Sequence, residues 1–258
     1  MPDIKRRKFL AGVLGGAALL GGSVEALAVR PKRAPHSVLP RRRVPPARRV
    51  QVGSDFAGRN AYRAANVQAL AGPASARRVV MMGDSITENW LRFIGSFYAD
   101  HGFLGRGISG QTSAQMLLRF GPDVTALKPQ VVHIMAGTND LVGAPEPYEA
   151  DVTQSNLEAM ALLAKAHGIA VVMASVPPAS GFGWRGAMDA LKALNVSVND
   201  LCARNGYTYC DYWPVLEGTD GRLKPELGFD TVHPNEAGYA VMGPVFLAAI
   251  DVALKKTG

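Results

Sequence analysis

The 258-residue sequence predicts an α/β protein built on a parallel sheet covered by helices on both faces. Three observations predict it. Short runs of Val, Ile and Met alternate with helix-length segments. The runs are apolar throughout rather than at every second position, as strands buried on both faces are. Glycine or Gly-Pro punctuates the ends of segment after segment.

Taken in order, residues 56–70, rich in Ala and Arg, predict a helix that ends before Ala71-Gly72-Pro73. Residues 78–82 are the first core strand, and 103–107 a short second one. Residues 111–120 read as a helix closed by Gly121-Pro122. An apolar strand follows at 131–135, then an amphipathic helix at 153–167 stopped by Gly168. Residues 169–176 are a buried strand bounded by Pro177-Pro178. A helix over 187–205 ends at Gly206, a strand covers 207–212, and a terminal helix covers 236–255. The chain shows no internal repeat and no second folded domain. In such sheets ligands bind beyond the carboxyl ends of the strands, so residues just after strands one and three are candidates for a site.

Charge is unevenly spread. Residues 1–50 carry twelve Lys and Arg against two acids, whereas 51–258 carry 16 against 19. The basic character therefore belongs to the first 50 residues, and nucleic-acid binding by the folded part is not expected. Residues 1–28 read as an export signal: Lys5-Arg6-Arg7-Lys8, an apolar stretch from Phe9 to Val24, and Ala26-Leu27-Ala28 as a cleavage site. Arg6-Arg7-Lys8-Phe9-Leu10 resembles a twin-arginine signal, with Lys5 where a hydroxyl residue is usual. This predicts the twin-arginine export machinery as a partner, a periplasmic or secreted location, and membrane contact through the signal segment alone. The alternative, an uncleaved anchor, is disfavoured because the apolar run is shorter than the ~20 residues a spanning helix needs. Residues 29–50 are a basic Pro/Arg-rich linker, read as a disordered, self-repelling spacer or as a tether to anionic envelope polymers or lipid headgroups. Residues 51–258 form the folded domain. Its two cysteines, Cys202 and Cys210, are read as buried free thiols, although an oxidising compartment would permit a bridge.

Two short motifs carry the chemistry. Gly83-Asp84-Ser85-Ile86-Thr87 directly follows the apolar run Val79-Val80-Met81-Met82, and Asp230-Thr231-Val232-His233-Pro234 lies near the C-terminus. A serine hydroxyl is a weak nucleophile that needs a neighbouring base. His233 can take and return the proton, and Asp230 can hold the imidazole tautomer. Ser85, Asp230 and His233 are thus the candidate catalytic set of an ester-cleaving serine hydrolase. The competing reading of Ser85 is a helix N-cap, and of Asp230 a cap on the last helix. The other histidines have plainer readings: His36 in the linker, His101 before a turn glycine, His133 in a buried strand, His167 at a helix C-terminus. Ser109 reads as a loop serine, and Asp84 and Asp140 as loop braces. Two further segments supply donors for an oxyanion. Gly105 to Thr112 is a Gly-rich loop, and Gly137-Thr138-Asn139-Asp140 caps the third strand. The N–H groups of Ser85 and Gly110 and the side-chain amide of Asn139 are the candidates.

These four segments, in this order, resemble the SGNH hydrolases, also called the GDSL family, over roughly residues 75–255. The resemblance implies Ser85 as nucleophile, Gly110 and Asn139 in the oxyanion hole, and the Asp230/His233 pair. Thr87 stands where the family's older name has Leu. It further implies a flavodoxin-like three-layer α/β/α sandwich with about five parallel strands, and a reaction needing no metal or cofactor. The helix at 56–70 resembles an N-terminal extension of bacterial secreted members. The α/β-hydrolase elbow, Gly-x-Ser-x-Gly, is absent around Ser85.

The expected substrate is a small-molecule or glycan ester. Trp90, Phe182 and Trp184 are candidate substrate-binding aromatics, with loop packing as their plainer reading. No long apolar insertion offers a lipid-covering lid, which points to short acyl groups, acetyl on a carbohydrate foremost. Longer-chain lysophospholipase or thioesterase activity is the alternative; outside catalysis stand a catalytically silent envelope glycan-binding module and a membrane-tethered structural protein.

Overall fold

A computed structural model describes residues 55–142, 148–180 and 186–256. The expected signal and linker, and Phe182 and Trp184, lie outside the described residues.

The elements run α1 (Arg63–Ala71), β1 (Val79–Gly83), α2 (Ser85–Phe93), α3 (Gly95–His101), β2 (Phe103–Gly107), α4 (Ser113–Asp123), β3 (Val131–Met135), α5 (Thr138–Val142), α6 (Ala150–Ala166), β4 (Ala170–Ala174), α7 (Ala187–Asn205), β5 (Thr208–Cys210), α8 (Trp213–Leu216) and α9 (Glu236–Lys255). All five strands are parallel, in the order β2-β1-β3-β4-β5. This is the flavodoxin-like order, and it reverses direction at β1/β3, the switch point beside which such sheets bind ligands.

Strand parity builds the two outer layers, because successive side chains point to opposite faces. Val80, Met82, Val132 and Ile134 pack beneath Met116 and Phe120 of α4, Leu157 and Met160 of α6, and Leu191 and Leu194 of α7. Val79, Met81, Val131 and Met135 face the other way, onto Trp90 of α2, Tyr98 of α3, and Tyr239, Met242 and Phe246 of α9. By length and composition α9 is apolar enough to cross a membrane. Its burial against the sheet marks it as a core helix. The two cysteines fall on opposite sides of this sheet, Cys202 in the first layer and Cys210 in the second. Both are free and buried, and burial pushes their thiols up to about 11 and about 12.

Several boundaries differ from those expected. The first helix starts at Arg63 rather than 56, because the Asp55 carboxylate accepts the N–H groups of Arg59 (2.9 Å) and Asn60 (2.7 Å) and holds a turn there. Helix α4 runs through Gly121-Pro122 to Asp123, with Val124 N–H still reaching Phe120 O at 2.9 Å. Its last turn is held by the buried Arg119–Asp123 pair, so proline does not end it. Helices α2, α3, α5 and α8 were not expected. The strands at 169–176 and 207–212 shorten to Ala170–Ala174 and Thr208–Cys210.

Gly83, Gly107 and Met135 are register partners at the carboxyl ends of β1, β2 and β3. The three segments that follow therefore leave the sheet side by side. Close packing demands glycine at 107: a Cβ there would sit 2.3 Å from Glu88 N and 2.7 Å from Asp84 O, both backbone atoms. Gly107→Ala should cost about 1–3 kcal/mol by overpacking. Denaturant titration checks this, and an unchanged midpoint would contradict the tight α2–β2 contact.

Candidate active site

Ser85 sits at the turn from β1 into α2. The N-cap role weighed for it falls instead on Asp84, whose carboxylate accepts Ile86 N–H at 2.9 Å. This frees the Ser85 hydroxyl, which donates to His233 Nε2 at 2.8 Å. His233 Nδ1–H donates to Asp230 Oδ2 at 2.8 Å and approaches Oδ1 at 3.0 Å. Asp230 also accepts the backbone N–H of Val232 (2.8 Å) and of His233 (2.7 Å), which folds the four-residue turn so that acid and imidazole share one side. Partial burial alone would push the Asp230 carboxyl up, but these donors and the His233 ring outweigh it and hold it below its usual value. Nor is Asp230 the cap of α9; Asn235 is, accepting Gly238 N–H at 3.0 Å. An alcohol donating to an imidazole whose other nitrogen is fixed by a carboxylate is the arrangement that makes a serine nucleophilic.

The remaining polar residues arrange themselves around this row. Asn139, at the start of α5, donates to Gln111 O at 3.0 Å and to Asp84 Oδ2 at 3.3 Å. It thereby links the ends of β1, β2 and β3. Gly110 adopts φ +77°, and a Cβ there would meet open space; glycine suits this backbone conformation. Ser85 opens α2, so its N–H is one of the four that a helix start leaves without an intrahelical partner. Asp140 accepts Ser113 N–H (2.9 Å), Ser113 Oγ–H (2.5 Å) and Thr153 Oγ–H (3.2 Å), a loop brace as expected. Ser109 is committed to Glu88, which accepts both its N–H (2.7 Å) and its hydroxyl. His133 is buried, bonded through Nε2 to Tyr212 Oη at 2.9 Å, and burial lowers it to about 3, so it stays neutral.

Trp90 is a correction. It is 0 % exposed, with ring centroids 5.2 Å from Phe97, 5.3 Å from Tyr239 and 5.7 Å from Phe246. Position 90 lies one turn after Ile86 on the inward face of α2, so the side chain enters the core rather than the site. An aromatic that the sequence reading missed does lie beside the row. Phe229, next to Asp230, is 60 % exposed, donates its N–H to His233 O at 2.7 Å, and stands 5.9 Å from the ring of Phe93. The Arg92 guanidinium lies 5.9 Å from the Phe229 centroid. Adjacency to the Asp-x-x-His turn was its only sequence signal.

Asp84 is wholly buried, and burial raises its carboxyl to about 6, offset in part by the Ile86 N–H. Its folded value thus exceeds its unfolded value of 3.8, and the folded state holds the proton more tightly. The bound proton supports stability below pH 4, an advantage that weakens as pH rises and is lost above about 6, a change on the order of 3 kcal/mol. Asp84→Asn should therefore gain on the wild type between pH 4 and pH 7 in denaturant titrations. A stability difference that does not vary with pH would show that Asp84 titrates normally.

Comparison with known proteins gives a consistent picture. Residues 81–241 match the GDSL-like lipase/acylhydrolase family. The chain is 30 % identical to Esterase TesA of Pseudomonas aeruginosa over 173 residues, 62 % of this chain and 81 % of that protein. A GDSL-like lipase structure from Bacteroides thetaiotaomicron is 38 % identical, with a TM-score of 0.73, covering 77 % of this chain and all of that one. An acetylxylan esterase structure from Geobacillus stearothermophilus shares the fold at 21 % identity and a TM-score of 0.55, covering 67 % of this chain and 93 % of that one.

Proposed function

The chain belongs to the GDSL-like lipase/acylhydrolase family and is a carboxylic ester hydrolase, and from this premise we propose that it cleaves short acyl esters, acetyl foremost, from a carbohydrate through an acyl-enzyme. The observation that carries the catalytic assignment is the continuous row from Ser85 Oγ to His233 Nε2 and from His233 Nδ1 to Asp230. Ser85 Oγ attacks the ester carbonyl carbon as its proton passes to His233 Nε2. The carbonyl oxygen becomes an oxyanion, received by the N–H groups of Ser85 and Gly110 and by Asn139, whose longer bond to Asp84 is the one to yield. Donors aimed at this charge in advance favour the transition state over the ground state. As the C–O bond breaks, imidazolium returns the proton to the leaving alcohol. Water then attacks the acyl-enzyme with His233 as base, releasing the acid and restoring Ser85.

Two features support a short acyl group on a bulky alcohol. The His233 and Asp230 side chains are 25 % and 46 % exposed, so the row lies at the surface, where a polymer can approach. The fold is also that of a known acetylxylan esterase. One observation favours the longer-chain alternative: Phe229 and Phe93 offer an apolar platform beside Asp230. Hydrolysis of p-nitrophenyl acetate against the octanoate ester separates the two. A higher kcat/KM on acetate is the expected result, and a preference for octanoate would move the reading to lipids.

Export by the twin-arginine route is proposed from Arg6-Arg7 and the apolar segment after them. Sequencing the mature N-terminus should return Val29. An intact Met1 would overturn cleavage and favour an anchor.

A further inference from the structure

The loop that carries Gly110 is held from four sides. From β1, Gly83 O accepts Ile108 N–H at 3.1 Å. From α2, Glu88 takes Ser109 N–H and hydroxyl. From α5, Asn139 holds Gln111 O. The fourth side is the N-terminal segment that precedes β1. Tyr62 donates its hydroxyl to Gly107 O, and Gln111 Nε2 donates to Ala57 O at 2.8 Å. Gln111 is buried, and its Oε1 accepts Arg119 Nε–H at 2.5 Å, so its amide is spent at both ends. The approach is close: a Cβ on Gly58 would lie 3.0 Å from both Gln111 Nε2 and Ile108 Cδ1. The Gly110 N–H has no acceptor among the described residues.

The segment is itself fixed. Asn66 of α1 is buried, donates to Asp123 Oδ1 at 2.7 Å and accepts from Arg106 Nε at 2.8 Å. It also lies wholly outside residues 81–241, the part matching the family.

We propose that residues 55–62 are a positioning element of the active site, holding the Gly107–Gln111 loop against Ser85 through Tyr62 and Gln111, so that the Gly110 N–H meets the oxyanion. This rests on the assignment of Gly110 as an oxyanion donor. A loop anchored on both sides of Gly110, at Ile108, Ser109 and Gln111, presents that N–H without reorganising during the reaction, and displacement by about 1 Å can cost a factor of about 10² in rate.

The test uses the full chain with Tyr62→Phe and Gln111→Glu, which keeps the acceptor for Arg119 and loses the donor to Ala57. Arg63→Ala, on the exposed side of α1, is the control. On p-nitrophenyl acetate, kcat should fall roughly ten-fold or more in both variants with KM within about two-fold. Inhibition by phenylboronic acid, which becomes tetrahedral on Ser85, should weaken in step with kcat/KM. Arg63→Ala should match the wild type. Unchanged kcat and boronate affinity in Tyr62→Phe and Gln111→Glu, with Ser85→Ala inactive, would overturn the positioning role and leave the nucleophile standing. A fall in kcat without a matching loss of boronate affinity would also overturn it, since a merely loosened fold behaves that way. If Gln111→Glu fails to fold, Tyr62→Phe decides alone. An active Ser85→Ala would remove the nucleophile assignment, and this inference with it.

Discussion

Ser85→Ala is expected to lower kcat on p-nitrophenyl acetate by about 10⁴-fold or more while leaving the melting transition in place. Among the described residues the hydroxyl makes one hydrogen bond, to His233 Nε2, and Asp84 rather than Ser85 caps α2. Its removal therefore takes away the nucleophile without unsealing the helix. His233→Ala should be nearly as damaging, and the double variant little worse than either single one, because nucleophile and base act as a unit. Asp230→Asn should also be severe: an amide can present its N–H to Nδ1 and favour the wrong imidazole tautomer. Additive losses across Ser85 and His233 would mean that they do not work together. Residual activity of more than a few per cent in Ser85→Ala would place the nucleophile elsewhere.

The parts legible in sequence were those whose signal is local. Each of Ser85, Gly110 and Asn139 stands just beyond a strand end, and Asp230 and His233 sit in one turn, so short motifs reveal them. The strands were legible because both faces are buried and the runs are uniformly apolar. Trp90 was misread because proximity in sequence to Ser85 does not give direction. The Ile86/Trp90 spacing would have given it had α2 been recognised. Helices α2 and α3 stayed hidden because they are short and aromatic-rich, and their stability comes from packing on α9 rather than from propensity. Glu88, Gln111 and the Asn139–Asp84 contact were illegible for another reason. Each joins segments that become neighbours only through the side-by-side register of Gly83, Gly107 and Met135.

Arg119→Met should destabilise the fold severely, by about 3–5 kcal/mol. Arg119 is 0 % exposed and distributes its donors to Asp123 Oδ2 (3.0 Å), Gln111 Oε1 (2.5 Å) and Gly83 O (3.0 Å). Methionine fills similar volume, so the loss is electrostatic rather than a cavity. Asp123 would remain, 0 % exposed, with the Asn66 amide as its one other side-chain donor among the described residues. Burial disfavours the Arg119 charge, and Asp123 offsets this in part. For a folded part of this size, such a loss corresponds to a drop of roughly 10 °C in melting temperature. Arg119→Met combined with Asp123→Leu should recover much of it, because removing both charges leaves no uncompensated ion. A double variant no more stable than Arg119→Met would instead assign the cost to the lost bonds at Gly83 and Gln111. Those two residues flank Ser85 and Gly110 in sequence, so the recovered double variant should regain stability without regaining full activity. Denaturant titration beside p-nitrophenyl acetate turnover reads both quantities on the same protein.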